Sequence, residues 1–444
     1  MNTSELPVPL NLYAQIAPGE LFRLLQRGLG VTRHEGIYTP RVVIWMMMLQ
    51  RLDRRGTLAS TVGQLALGQF DPLLSRCKRV REKRIALSTG GYCQARQNLP
   101  KILLDRSVDE ILQRLRNHLS EGMPLLERPV YVVDGTTLRL DGCPELKQAY
   151  PPARNPRRPS HWPVLLMVVL HDVDTGLAQE PCWGPMYGPQ AVSEQVLAQR
   201  ALDRLPPGAV IIGDRNFGTF FMAHSGYQKG HSVLIRLTKQ RARRLVNAPL
   251  DQQGVFEVTW KASPLEQAKH GKLPTDSVQG RLICWRIGCG QSKQWLYLFS
   301  TLTLPPEEIV ALYGKRWHIE TDLRSLKQTV RLNQLSVQSV DMMEKELMAA
   351  LLAYNLVRAI MCLAARKVGI HTRQLSFTYA YNIVQDGITN VLAGATFDDQ
   401  IERMEHIVDL VGLCKLPNRT KRRSFPREVW GRSRAFPSRR EKTK

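Results

Sequence analysis

The sequence contains no C-x-x-C pair. Its cysteines stand at 77, 93, 143, 182, 284, 289, 362 and 414, the closest two five apart with no histidine at ligand spacing. That excludes the common zinc motifs and favours free, buried thiols in a reducing compartment. Long apolar runs are missing as well. Runs such as Val42 to Leu49 and Val164 to Leu170 fall well short of the roughly 20 residues that span a bilayer. The first residues show no charged n-region, apolar h-region and cleavage site, so export is not expected. No stretch fits G-x-x-x-x-G-K-[ST], which leaves no nucleotide cofactor to expect. Acidic residues are scarce: 39 against 62 lysines and arginines in 444 residues, a formal net charge of +23. Such an excess repels itself in a compact state and favours a polyanionic partner, nucleic acid ahead of an anionic membrane.

The hydrophobic pattern changes along the chain. Residues 1–128 read as helical, with apolar positions at helical spacing through Leu10 to Leu29, Val42 to Leu52 and Ile102 to Leu119. Within them, Arg76 to Arg84 carries six basic residues and one acid in nine, either a solvated face or a nucleic-acid contact. From 129 the pattern turns to short strands. Pro129 to Asp134 and Val210 to Asp214 are apolar runs that each end in an aspartate; Val164 to Leu170 lies between them, followed by a turn signal at Asp172–Gly176 and a hairpin partner from Leu177 to Trp183. A helix fits Ser193 to Leu205, and Val233 to Leu237 is a third candidate strand of this buried kind. Strand, hairpin pair, helix, strand is the order of a ribonuclease-H-like α/β fold, a mixed sheet with helices on both sides. Further β signals between 239 and 300 interrupt it. Pro305-Pro-Glu-Glu308 then opens a helix expected to run to about Leu332, and helical patterns follow at Met342 to Val368 and Asn382 to Val411. Residues 415–444 carry 12 basic and 2 acidic residues, too polar to bury a core and expected to be disordered without a partner.

Two strand-terminal aspartates, Asp134 and Asp214, would meet at a shared sheet edge. Like charges brought together are costly unless a cation neutralises them, so a convergent pair implies metal. The helix after Pro305 adds Tyr313, Arg316, Glu320 and Lys327 at offsets of 0, 3, 7 and 14, a stripe roughly 60° wide on a regular helix. A carboxylate among cations suits phosphodiester chemistry; alone, the stripe reads first as a solvated face with an Arg316–Glu320 ion pair. Asp141, Asp172, Asp174 and Asp322 read as surface or turn acids, and His318 as structural.

Tyr313 to Lys327 fits Y-x2-R-x3-E-x6-K without a gap and resembles the signature of bacterial insertion-sequence transposases of the insertion sequence 4 group. Asp134-Gly-Thr and Gly213-Asp214-Arg-Asn-Phe217-Gly218 resemble that group's two aspartate motifs. The resemblance implies a cut-and-paste transposase, cytoplasmic and nucleoid-associated in a bacterium, acting on double-stranded DNA as a homodimer in the synaptic complex. It implies Asp134, Asp214 and Glu320 as metal ligands, with Mg²⁺ expected and Mn²⁺ able to substitute. Tyr313, Arg316 and Lys327 would hold phosphates. Arg154, Arg157 and Arg158, between the first two strands, and Arg241 and Arg243, at the entrance to the insertion, are further candidate DNA contacts. Trp285 and Trp295 are candidates for the tryptophan that in some members stabilises a flipped base. The expected division is a helical DNA-binding region (1–128), a ribonuclease-H-like core (129–238 and 301–335), an inserted β subdomain (239–300), a helical region (336–414) and a basic tail (415–444). The rivals are a nuclease of the same fold that cuts without strand transfer and a non-catalytic transposase-derived DNA-binding protein.

Overall fold

The computed structural model describes residues 8–417 apart from 32–35, 54, 71–72, 75–76, 120–127, 154–159, 247–248, 265, 268–276, 289–293, 334, 336 and 392–396. The fold is α/β: one eight-stranded mixed sheet with helices on both faces. The strands are β1 (Val130–Arg139), β2 (Val164–Asp172), β3 (Cys182–Pro185), β4 (Val210–Gly213), β5 (Ser232–Arg236), β6 (Gly254–Lys261), β7 (Ser277–Ile287) and β8 (Gln294–Ser300), in the spatial order β3-β2-β1-β4-β5-β8-β7-β6. β1, β2 and β3 pair antiparallel, whereas β4 and β5 run parallel to β1. The strands from 239–300 join this same sheet, because β8 pairs antiparallel with β5 and carries β7 and β6 outward.

Central strands with both faces covered read as continuous apolar runs. Their side-chain alternation divides the core in two. Val130, Val132, Val210 and Ile212 point into one layer, shared with the N-terminal helices and the helices after Pro305. Tyr131, Val133, Ile211 and Ile235 point into the other, against helices Glu194–Leu202, Phe220–Gln228 and Lys239–Leu245.

Helix Val340–Lys367 runs through the first layer and is apolar almost all round, as a fully enclosed helix is. By length and composition it would also span a membrane (mean hydropathy 1.9 over 18 residues), but 94% of that window is buried against protein. Asn355 and Arg358 interrupt its apolar stretch and Glu344, Lys345 and Glu346 precede it. These polar groups have partners: Asn355 bonds the backbone of Ala178, and Arg358 bonds Tyr354 and Asp322. Lys345 Nζ donates to the carbonyls of Arg96 and Gln97, at 3.2 and 2.8 Å, satisfying the C-terminal end of helix Gly90–Asn98. Glu346 pairs with Arg51 at 2.5 Å and Arg96 at 2.7 Å. Residues 8–119 and 337–417 thus pack together in one layer.

The helix expected from Pro305 to Leu332 is broken. Pro306–Gly314 ends in amides of Lys315 and Arg316 that bond three residues back, Trp317–Arg324 follows, and Ser325–Thr329 is a π-helical turn. A tight junction and a wide turn both depart from 100° per residue, so Tyr313, Arg316, Glu320 and Lys327 do not form the stripe of a regular helix. Gly314 at the junction and Ser325, whose hydroxyl donates to Thr321 O at 2.8 Å, weaken the helical ladder where it changes. The helical pattern from Leu10 to Leu29 is interrupted too, at Pro18, while that from Asn382 to Val411 falls on helices Phe377–Val391 and Phe397–Leu413.

Candidate functional site

β1 and β4 are in parallel register from Val130↔Val210 to Val133↔Gly213. One step further along each strand stand Asp134 and Asp214, side by side, with the parity that faces the layer containing the helix of Glu320. Neighbouring strands lie only about 4.8 Å apart, so the two carboxylates feel each other. Asp134 is pushed up to about 6, first by burial and then by the charges of Asp214 and Glu194; the Gly135 amide, donating to its Oδ1 at 2.8 Å, and the Arg316 guanidinium pull the other way. Asp214 sits at the head of a turn in which the Asn216 amide donates to its Oδ1 at 2.7 Å.

That turn is tightly built. Gly218 approaches the backbone so closely that a Cβ there would lie 2.1 Å from Arg236 O. Phe217 is fully buried in the second layer. Arg241 Nη1 donates to Gly218 O at 2.8 Å, which ties it to the turn, while its neighbour Arg243 is exposed.

Glu320 is partly exposed and accepts from Arg316 Nη2 at 3.4 Å. Arg316 is itself largely buried, with its guanidinium 4.8 Å from the Trp317 ring centre. Because Arg316 also acts on Asp134, it links the third carboxylate to the first. Tyr313 is buried, and its hydroxyl is raised by burial against the opposing influence of Arg316 and Arg236. Lys327 reaches back to β1 just past Asp134: its Nζ donates to Thr136 Oγ1 at 3.0 Å and Thr137 O at 2.8 Å. The π turn delivers it there.

The helix carrying Glu320 is anchored by a group that the sequence reading assigned to the surface. Asp322 is completely buried. Its carboxylate accepts from Arg358 and, at 2.7 and 2.8 Å, from Arg373 Nη1; Arg373 also donates to Val173 O and Asp172 O, both at 2.8 Å. The two guanidiniums hold its carboxyl below the usual range despite burial. The correction has a simple cause: both cations lie more than thirty residues away in sequence, out of reach of any local pattern. Asp172 is a turn acid as expected, accepting from the amides of Asp174 and Thr175. His318 is lowered to about 4 by burial and nearby arginine.

The tryptophans lie on opposite sheet faces, Trp285 packing on the first layer and Trp295 on the second, and both are half-buried. Arg154, Arg157 and Arg158 lie outside the described residues, as do Arg76 of the basic run and the tail from 418. The rest of that run, the short helix Lys78–Arg81 and Glu82 to Arg84, is largely exposed.

One acid escaped the sequence reading. Glu194 opens helix Glu194–Leu202, and its carboxylate lies against Gly135, where a Cβ would meet it at 2.5 Å. The only hint in the sequence is the glycine directly after Asp134. Among the described residues no group of three or more His, Cys, Asp or Glu side chains is placed to hold a metal ion. The donor chemistry nevertheless suits a hard divalent cation, which takes carboxylate oxygens and would relieve the conflict that raises Asp134. With Glu320 on Arg316, a cation would have to compete with that ion pair.

The family described as transposase DDE domain matches residues 126–356, from before β1 into helix Val340–Lys367. The Escherichia coli (strain K12) protein "Transposase InsG for insertion sequence element IS4" is 24% identical over 408 residues, 89% of this chain and 86% of that protein.

Proposed function

The chain belongs to the transposase DDE domain family, of the insertion sequence 4 type and metal-dependent in its DNA cleavage and transfer, and from this premise we propose that it excises and reinserts an insertion element by cutting its inverted-repeat ends and joining their 3′-hydroxyls to target DNA. In this reading the sheet β3-β2-β1-β4-β5, antiparallel in its first three strands and parallel in the last, is a ribonuclease-H-like core. Residues 129–238 and 301–335 form that core, and 239–300 is an insertion whose strands extend its sheet. Residues 1–128 grip the element's ends, and two copies join them.

Asp134, Asp214 and Glu320 would hold the divalent cations, Mg²⁺ with Mn²⁺ able to substitute. When bound, these ions activate water and stabilise the leaving oxygen of an in-line displacement. The chain's own residues bind and orient. Arg316, released from Glu320, offers a planar fork to a phosphate beside the cut bond. Lys327 holds a single positive charge at the β1 edge, and Tyr313, close enough to Arg316 to feel its charge, would share in holding the phosphate. The half-buried surroundings of Asp134 limit water around the reacting phosphate and strengthen these charges.

The observation that carries the reading is the parallel register that sets Asp134 beside Asp214, with Arg316 linking Glu320 to them. The test is cleavage of DNA bearing the element's own ends in Mg²⁺. Glu320→Ala is expected to lose cutting by at least roughly 10³-fold while still binding the ends. Equal cutting by both proteins would sink the assignment. With pre-cleaved ends, joining to target separates a transposase from a nuclease; wild-type protein that binds and never cuts would favour the DNA-binding rival.

A further inference from the structure

We infer that Glu194 is a further carboxylate of the cation-binding set, acting with Asp134 and Asp214. The inference rests on the reading of those two aspartates as metal ligands and adds a residue that the D-D-E pattern omits. Three elements converge: β1 brings Asp134, the exit of β4 brings Asp214, and the first turn of helix Glu194–Leu202 brings Glu194.

Asn216 ties the last two together. Its side-chain amide donates to Glu194 Oε2 while its backbone amide donates to Asp214 Oδ1 at 2.7 Å. Gln195 in turn donates to Asn216 O at 3.0 Å, holding that residue in place. With Oε2 on Asn216, Oε1 lies over the residue next to Asp134. A Cβ on residue 135 would stand 2.5 Å from both Cδ and Oε1 of Glu194, so the carboxylate occupies space that exists only because residue 135 is glycine.

An ordinary acid in a first helical turn faces its own unpaired amides and stabilises them. In this helix the Ser193 hydroxyl already caps the Val196 amide, at 3.3 Å, and Glu194 turns instead to Asn216 and the space over Gly135. A clamp that holds a third carboxylate over Gly135 and against the turn of Asp214 is costly without a cation and useful with one. Such supporting groups typically change metal affinity by roughly 10- to 100-fold.

The experiment measures Mn²⁺ binding to the full chain without DNA, from loss of the free-ion electron paramagnetic resonance signal. It compares wild type, Glu194→Gln, Gly135→Ala and, as a control, Asp134→Asn. Glu194→Gln keeps shape and hydrogen bonds but removes the charge; Gly135→Ala keeps the charge but displaces it. Both are expected to weaken Mn²⁺ binding by roughly 10- to 100-fold, and to raise by a similar factor the metal concentration that half-saturates end cleavage. Circular dichroism checks that each variant is folded, and Glu194→Gln decides the question if Gly135→Ala is not. Wild-type Mn²⁺ affinity in Glu194→Gln, with binding lost in Asp134→Asn, overturns the role of Glu194 alone. Unchanged affinity in Asp134→Asn overturns the metal-ligand reading itself, and the inference with it.

Discussion

Replacing Asp134 by asparagine should stabilise the metal-free protein while abolishing its chemistry. Asp134 rises from an ordinary 3.8 to about 6 in the fold, through burial and the charges of Asp214 and Glu194. A folded-state value above the unfolded one means that the native protein holds the proton more tightly. Below about pH 4 both states are protonated and the group contributes nothing. Between about 4 and 6 the native state binds more protons than the unfolded chain, so stability falls as pH rises. Above 6 both are ionised and the full penalty is present. Two pKa steps at about 1.4 kcal/mol each give an upper bound near 3 kcal/mol, and partial exposure brings the expected gain to about 1–2 kcal/mol.

The asparagine retains an oxygen for the Gly135 amide, so the hydrogen bond at 2.8 Å survives. Urea unfolding in EDTA at pH 7.5 should therefore show a higher midpoint for Asp134→Asn. The advantage should shrink as pH falls from 6 to 4. Added Mg²⁺ should stabilise only the wild type, by mass action on the native state. An Asp134→Asn protein no more stable than wild type in EDTA at pH 7.5, or an advantage that persists undiminished at pH 4, would refute the reasoning. Such a trade of stability for function is expected where a site holds like charges together.

Two further substitutions probe the frame around the site. Asp322→Ala leaves Arg358 and Arg373 buried without their carboxylate, and should cost about 3–5 kcal/mol in urea unfolding; a loss below about 1 kcal/mol would show that the cluster does not anchor the helix of Glu320. Gly218→Ala introduces a Cβ 2.1 Å from Arg236 O, a backbone atom that cannot rotate away. It should destabilise by about 1–3 kcal/mol or more and slow end cleavage through displacement of Asp214, and a fully active, equally stable variant would contradict the close packing of that turn.

The candidate carboxylates were legible because each lies within a local signal. Asp134 and Asp214 end short apolar runs, and those runs are apolar because β1 and β4 are covered on both faces. Glu320 lies in a spaced motif. The helix that bears it was less legible. Regular periodicity extends Pro306 to Leu332 as one element, but the chain breaks at Gly314 and widens over Ser325–Thr329 so that Lys327 reaches Thr136 and Thr137. A tertiary contact made that choice over local propensity. Glu194 looks like any acid at a helix start, and nothing near it in sequence names Gly135 or Asn216 as its neighbours.

By itself, then, the sequence determined the alternation of strands and helices, the basic balance and the acids that end apolar runs, since backbone periodicity and net charge are properties of neighbours along the chain. Asp134 nonetheless proved to lie in the middle of β1 rather than at its end. Only the tertiary structure decided that Asp322 is buried between two arginines, that the strands of 239–300 extend the central sheet, and that Glu194 stands beside Asp134. The reason is physical. Electrostatic and packing energies depend on distance in space, and a fold sets those distances between residues whose separation along the chain carries no trace of them.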